Sequence, residues 1–384
     1  MNNKPEIVFT LPACMGGVAS FNYNIINHSR LIKNFYSKVI LLKAYEDTRP
    51  VFLDKSNADE VTIFNYSFKE NQYYVHKRLN ELLGEEQGAI VTDNSLTISA
   101  AVSFKNPKTI FHLIHDYFYV NQNIQFGDMV DVAIAHSSFF SDAVFASNPE
   151  SFFNRSFYIP YGVQQLPNFP TKNDRTLNLV FLGRLDEGKG VMKLHEINKG
   201  LIKKGVEVNW TIIGKGPLKK VLGEQWKAEH NVAFYEPDST EEVYKILSTQ
   251  DAFVLPTIFE GTPVSILECL ANGVVTITND LPGGIRDIVK SNMGYRCELN
   301  NISQYTDVIT NLNNNRDRLK QMQKNCFEAS ANYYDIKKNA DNYFKKFFQF
   351  ENFKRESKRG FIKMSRLDRA IFPNAVVKYL RGIK

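Results

Sequence analysis

Carboxylates and cations placed beside sharp turns are where this sequence of 384 residues could do chemistry. Glu260 and Glu268 lie in Phe259-Glu260-Gly261-Thr262-Pro263-Val264-Ser265-Ile266-Leu267-Glu268, directly after the apolar run DAFVLP. That run reads as a strand and the pattern from Val264 onward as a helix, so Glu260 falls in the connecting loop. Pro263 suits the first turn of the helix, and Thr262 can cap it. Free backbone N–H groups at a helix start form an anion site suited to a diphosphate. Beside it Glu260 could accept protons from sugar hydroxyls, and Glu268 could hold a ribose diol. The bland alternative is a pair of solvated charges on an amphipathic helix. A glycosidase pair fits less well, because eight helical residues rise about 12 Å and such carboxylates stand roughly 5–9.5 Å apart.

A second cluster, Gly183-Arg184-Leu185-Asp186-Glu187-Gly188-Lys189-Gly190, follows the run LNLVFLG. Two cations at a strand end can neutralise a pyrophosphate, and glycines let the backbone approach it. A solvated turn carrying Arg184 and Lys189 is the plain alternative. No Asp-x-Asp occurs in the sequence, so no motif for a divalent ion on a diphosphate is present. Neither a metal nor another cofactor is therefore expected, and fixed cations would take over the electrostatic role. Met15-Gly16-Gly17-Val18 follows the run EIVFTL, where a Gly-Gly pair serves either as a simple turn or as a loop close to a ligand. The run TIFHLIHDYF carries His112 and His115. Alternation puts His115 at the strand end near Asp116, which favours it over His112 as a site residue without excluding the other.

These loops need rigid elements behind them. From about residue 177 short apolar runs alternate with helical patterns: LNLVFLG, VNWTIIG, NVAFY, DAFVLP and VVTIT are strands, separated by helices. The first half repeats the theme through EIVFTL, KVILLK, VTIFN, AIVTD, TIFHLIH, DVAIAH and SFYIP. This is the pattern of α/β domains with parallel sheets covered on both faces, and loops at strand C-termini are where such sheets bind ligands. The spacing predicts domains at 1–165 and 176–327, joined by a Pro-containing linker at 166–175. A long helix is expected over 328–349, within a segment 328–350, followed by a tail at 351–384.

Composition sets outer bounds. A hydrophobic share of 43% with 23% charged residues is that of a globular protein, and the length suits two domains. No apolar run reaches the roughly 18 residues of a spanning helix, and the start lacks a signal-peptide pattern, so a cytoplasmic protein is expected. Cys14, Cys269, Cys297 and Cys326 form no C-x-x-C pair, which argues for reduced, structural cysteines. The net charge of +6 is local: residues 351–384 hold ten Lys/Arg against three acidic residues, leaving the rest at −1. With its interspersed apolar residues the tail reads either as a segment for an anionic inner-membrane surface or as a basic surface helix. No nucleic-acid module accompanies the charge.

G-R-L-x-x-x-K-G and F-E-G-x-P-x-x-x-x-E, each after a strand, together resemble the GT4 family of GT-B glycosyltransferases, the glycosyl transferases group 1. Ile159-Pro160-Tyr161-Gly162-Val163 is similar to the segment closing that family's first domain. The resemblance implies two Rossmann-like doubly wound domains facing across a cleft, with a C-terminal helix crossing back to the N-terminal, acceptor-binding domain. It implies a retaining, metal-independent transfer from a nucleotide-sugar donor to a glycan acceptor in bacterial cell-surface polysaccharide assembly, and the basic tail adds the expectation that this acceptor is lipid-linked. Arg184 and Lys189 would bind the donor diphosphate, Glu260 the transferred sugar and Glu268 the ribose. Backbone at Gly261, Thr262, Pro263 and Val264 would contact sugar and phosphate, Gly183 would border the diphosphate, and Gly16 and Gly17 would lie beside the donor. His115 would line the active site, and Ile213-Gly214-Lys215-Gly216-Pro217 would frame the nucleotide. A nucleotide-sugar epimerase and a non-catalytic, nucleotide-sugar-binding scaffold are the competing functions.

Overall fold

A computed structural model describes residues 4–14, 16–53, 56–172, 176–355 and 364–382. They form two compact units, 1–160 with 336–384, and 161–335. The first holds a seven-stranded sheet: β1 Glu6–Pro12, β2 Tyr36–Ala44, β3 Glu60–Tyr66, β4 Gly88–Thr92, β5 Thr109–Ile114, β6 Val132–Ala135 and β7 Ser156–Tyr158. The second holds β8 Leu177–Leu182, β9 Val208–Ile213, β10 Val232–Tyr235, β11 Ala252–Leu255, β12 Val275–Asn279 and β13 Gly294–Cys297. Strand order is β3-β2-β1-β4-β5-β6-β7 in one and β10-β9-β8-β11-β12-β13 in the other, and every pairing is parallel. Both are Rossmann-like doubly wound sheets. The central strands are buried on both faces, which is why they read as unbroken apolar runs rather than alternating ones.

The winding reverses between β1 and β4 in the first sheet and between β8 and β11 in the second, and ligands of such sheets bind at the carboxyl ends of those strands. Three of the sequence-predicted features occupy these positions: Gly16 and Gly17 follow β1, residues 183–190 follow β8, and 257–263 follow β11, while His115 follows β5, the neighbour of β4.

Two features differ from the sequence reading. β13 was not expected: GYRC is four residues long and half exposed at the sheet edge, so it carries no apolar run. The helix expected over 328–349 is instead Arg316–Tyr333 followed by Ile336–Phe347, with the break falling at the boundary between the units. Val163 N–H donates to the Tyr334 carbonyl at 2.8 Å and bridges Asp335, which takes that carbonyl out of the helical ladder. Residues 336–347 then pack in the first unit, where Phe344 and Phe347 meet Phe9, and Asp341 accepts from Ser29 and Arg30. Of the segment 166–175, the described part lies in the second unit.

Candidate active site

In the second unit the two charged loops are sewn together. The Ile258 N–H and Thr257 Oγ1 both reach the Gly188 carbonyl at 3.0 Å. Gly190 makes the approach possible: its φ is +68°, and a Cβ there would stand 2.0 Å from the Pro256 carbonyl oxygen. Gly190→Ala therefore forces both a left-handed backbone strain and a main-chain clash, and should lower stability by at least about 2 kcal/mol in urea unfolding. A third loop joins below, as Leu185 N–H donates to the Lys215 carbonyl and Leu218 N–H to that of Leu185, each at 3.0 Å. A Cβ at Gly216 would lie 2.4 Å from the Leu185 oxygen, so glycine is required by that contact.

This stitching brings Lys189 Nζ to 2.5 Å from Glu260 Oε1. Glu260 is 8% exposed. Burial pushes its carboxyl above the ordinary range, and Lys189, with a hydrogen bond from Thr257, pulls the other way. Arg184 behaves differently: its side chain is 71% exposed, with Nε 2.7 Å from Asp186 Oδ2. Asp186 also accepts the Lys189 N–H at 3.0 Å, so one carboxylate shapes the turn that presents both cations.

The helix after Glu260 runs Val264–Ala271 with Pro263 as its N-cap and no side-chain cap. The expectation that Thr262 caps it is corrected. Pro263 sits at ψ 109°, so the chain turns one residue later, and Thr262 Oγ1 is left buried without a hydrogen-bond partner among the described residues. A buried hydroxyl without a partner costs about 1–3 kcal/mol, and here it stands beside the uncapped N–H groups of a helix start. Gly261 is held by Gly284, whose N–H donates to its carbonyl at 3.0 Å; a Cβ at Gly284 would meet that oxygen at 2.8 Å.

Glu268 is partly buried in this helix, and burial pushes its carboxyl up to about 7. Burial raises the phenols of Tyr161 and Tyr244, and Glu268 adds to the effect. Three residues that support the site were not legible from the sequence. Asn279, at the end of β12, donates to the Thr257 carbonyl at 2.7 Å and accepts from Tyr305 OH at 2.9 Å, so Thr257, Asn279 and Tyr305 fix the loop under Glu260. A buried Asn ending an apolar strand was the available signal.

In the first unit Gly16 precedes the helix Gly17–His28, which has no side-chain cap; Met15 lies outside the described residues. A Cβ on Gly16 or Gly17 would meet nothing, so this unit's packing does not demand glycine there. His115 stands with Nε2 3.5 Å from Asp93 Oδ2, its ring against Tyr119, Phe21 and His136. Asp116, the neighbour expected from sequence, instead caps the next helix through the Phe118 N–H at 2.7 Å. His112 is fully buried, with its ring nitrogens 3.0 Å from Asn123 Oδ1 and Gln122 Oε1, and burial lowers its basicity. Among the described residues no group of three or more His, Cys, Asp or Glu side chains is gathered as a metal site.

Known proteins resemble this chain in both sequence and fold. An uncharacterized glycosyltransferase of Haemophilus influenzae is 23% identical over 340 residues, 83% of this chain and 92% of that protein. The UDP-Gal:alpha-D-GlcNAc-diphosphoundecaprenol alpha-1,3-galactosyltransferase of Escherichia coli is 27% identical over 165 residues, 42% of each chain. Anabaena Alr3699/HepE, solved in complex with UDP and glucose, superposes with a TM-score of 0.70 at 13% identity, over 90% of this chain and 99% of that one; the fold is thus the GT-B fold of glycosyltransferases. The sequence model described as glycosyl transferases group 1 matches residues 163–328, which include both charged loops and Glu268. Over this stretch of the second unit the chain is similar to the glycosyl transferases group 1.

Proposed function

We propose that the protein is a retaining, GT4-type glycosyltransferase that moves a sugar from a nucleotide-sugar donor to a glycan acceptor without a metal ion. The observation that carries this is the buried Glu260, paired with Lys189, beside an uncapped helix start with an unpartnered Thr262 hydroxyl. Arg184, Lys189 and the N–H groups at Val264 supply fixed positive charge for a diphosphate leaving group, the role a divalent ion has elsewhere. Glu260 accepts from hydroxyls of the transferred sugar, and Glu268 accepts from the ribose diol. In the first unit, His115, steadied by Asp93, is the active-site histidine of this reading, and the Gly16-Gly17 loop contacts the donor.

Lys189 already engages Glu260, which makes this carboxylate a poor covalent nucleophile and favours front-face transfer. The anomeric C–O bond to the diphosphate breaks, the acceptor oxygen bonds to the same face, and the acceptor proton passes to a leaving phosphate oxygen. The diphosphoundecaprenol acceptor of the Escherichia coli relative supports a lipid-linked bacterial glycan as acceptor, in cell-surface polysaccharide assembly. The basic tail supports a peripheral place on the cytoplasmic face of the inner membrane; no helix among the described residues is long and apolar enough to cross it.

The test is a thermal-shift screen of UDP, GDP and dTDP sugars, then transfer to a lipid-linked glycan with EDTA present. Product of unchanged anomeric configuration is expected; donor turnover that ignores acceptor would replace this reading with epimerisation. Arg184→Ala should slow transfer about tenfold to thirtyfold, a smaller loss than a buried cation would give, because water screens its exposed charge.

A further inference from the structure

The helix Asn374–Gly382 is held on the first unit by one seam. Arg381 donates to both oxygens of Asp368 at 2.9 and 2.8 Å, Asn374 accepts from the Asn71 N–H at 2.9 Å, and Val377 is fully buried. Asp368 also accepts from the Gln72 N–H at 2.8 Å, Asn71 Nδ2 donates to the Arg369 and Phe372 carbonyls, and Lys378 lies 3.6 Å from Glu70. The tail is thus fastened around the start of the helix Gln72–Leu83. Positions 374, 377 and 381 form that seam, so 376, 379 and 380 project from the opposite side of the helix. All three are apolar and open to solvent: Val376 is 46%, Tyr379 70% and Leu380 47% exposed, and Ile371, just before the helix, is 75% exposed.

We infer that this face is a docking surface for an anionic lipid bilayer, deepening the membrane-held acceptor read above. Four apolar side chains are too small a patch for a stable protein interface, which needs about 800 Å² per partner. A second copy of this chain would bring the same exposed cations, Arg366 and Arg369, to the contact twice over. Anionic headgroups instead complement these cations while the apolar side chains enter the acyl boundary, which is how an interfacial helix binds. The Asp368–Arg381 clamp fixes which face meets the lipid, so the first unit is held at the surface in one orientation.

Flotation of the full chain with phosphatidylglycerol/phosphatidylethanolamine vesicles, without donor or acceptor, tests the surface separately from transfer. Val376→Ser, Tyr379→Ser and Leu380→Ser combined should lower vesicle partition about tenfold or more with unchanged circular dichroism. Replacing phosphatidylglycerol by phosphatidylcholine should weaken the native chain as well. In Tyr379→Trp, vesicles should shift the emission to the blue. A triple variant that floats like the native chain, an emission that vesicles leave in place, or self-association abolished by the triple variant would each overturn the inference.

Discussion

Glu260→Gln is expected to reduce transfer about a thousandfold while the melting temperature stays within a few degrees of the native value. The substitution keeps the shape of a side chain that is buried beside Lys189, and the glutamine carbonyl still accepts from Nζ. In the proposed reaction, what disappears is a carboxylate that takes hydrogen bonds from a sugar ring whose anomeric carbon becomes cationic in the transition state, and preorganised charge of this kind is worth about two to three orders of magnitude. Lys189 is spared a large desolvation cost because its side chain remains 30% exposed.

Lys189→Ala should cost activity by another route. Burial already raises the Glu260 carboxyl, and the lysine is the largest influence holding it down; without it the carboxyl binds a proton more readily, and the residual rate climbs with pH. The double variant should then lose little more than the worse single one, since the two groups act as a unit. Steady-state rates at saturating donor, with thermal melts alongside, check this. A Glu260→Gln enzyme that keeps more than about a tenth of its turnover would remove Glu260 from the transition state.

The strand-end motifs were legible because each puts charge or glycine directly after an apolar run, and a parallel sheet leaves few other readings of such a run. Arg184, Lys189, Glu260 and Glu268 fall on the second unit's loops and helix for that reason. What could not be read depends on neighbours distant in sequence. Thr257 is braced by Asn279 because β11 and β12 lie side by side, with Leu255 opposite Thr278, and no spacing in the chain announces that adjacency. Asp93 reaches His115 through the pairing of β4 with β5, whereas sequence proximity pointed to Asp116, which is spent on a helix cap. The break at Tyr334–Asp335 carries no Gly or Pro; it is made by Val163, some 170 residues earlier. The tail's composition left an interfacial segment and a basic surface helix both open, and only the positions of Val377 and Arg381 tell which side of its helix is already occupied.

Glu268 should oppose stability to affinity. Burial pushes its carboxyl from an ordinary 4.5 to about 7 in the folded protein, so the folded state binds this proton more tightly than the unfolded chain. The stability that the neutral form contributes is complete below the unfolded value and is lost as pH rises through about 7, by at most about 3 kcal/mol. Glu268→Gln, which needs no proton to be neutral, should flatten that slope and make the protein more stable than the native enzyme at about pH 8. With Glu268 in the proposed ribose-binding role, donor binding runs the other way, because only the carboxylate would accept from both ribose hydroxyls. With a group titrating near 7, the competent fraction rises about tenfold between about pH 6 and pH 8, and the apparent affinity for a nucleotide sugar should rise with it. Glu268→Gln should bind about a hundredfold more weakly at the upper pH, from two lost charge-assisted hydrogen bonds, and show no pH dependence from this group. Calorimetric titration of donor at the two pH values, set against urea unfolding at the same values, separates the cases. A carboxyl that served only the core would give the stability slope with no matching slope in donor affinity.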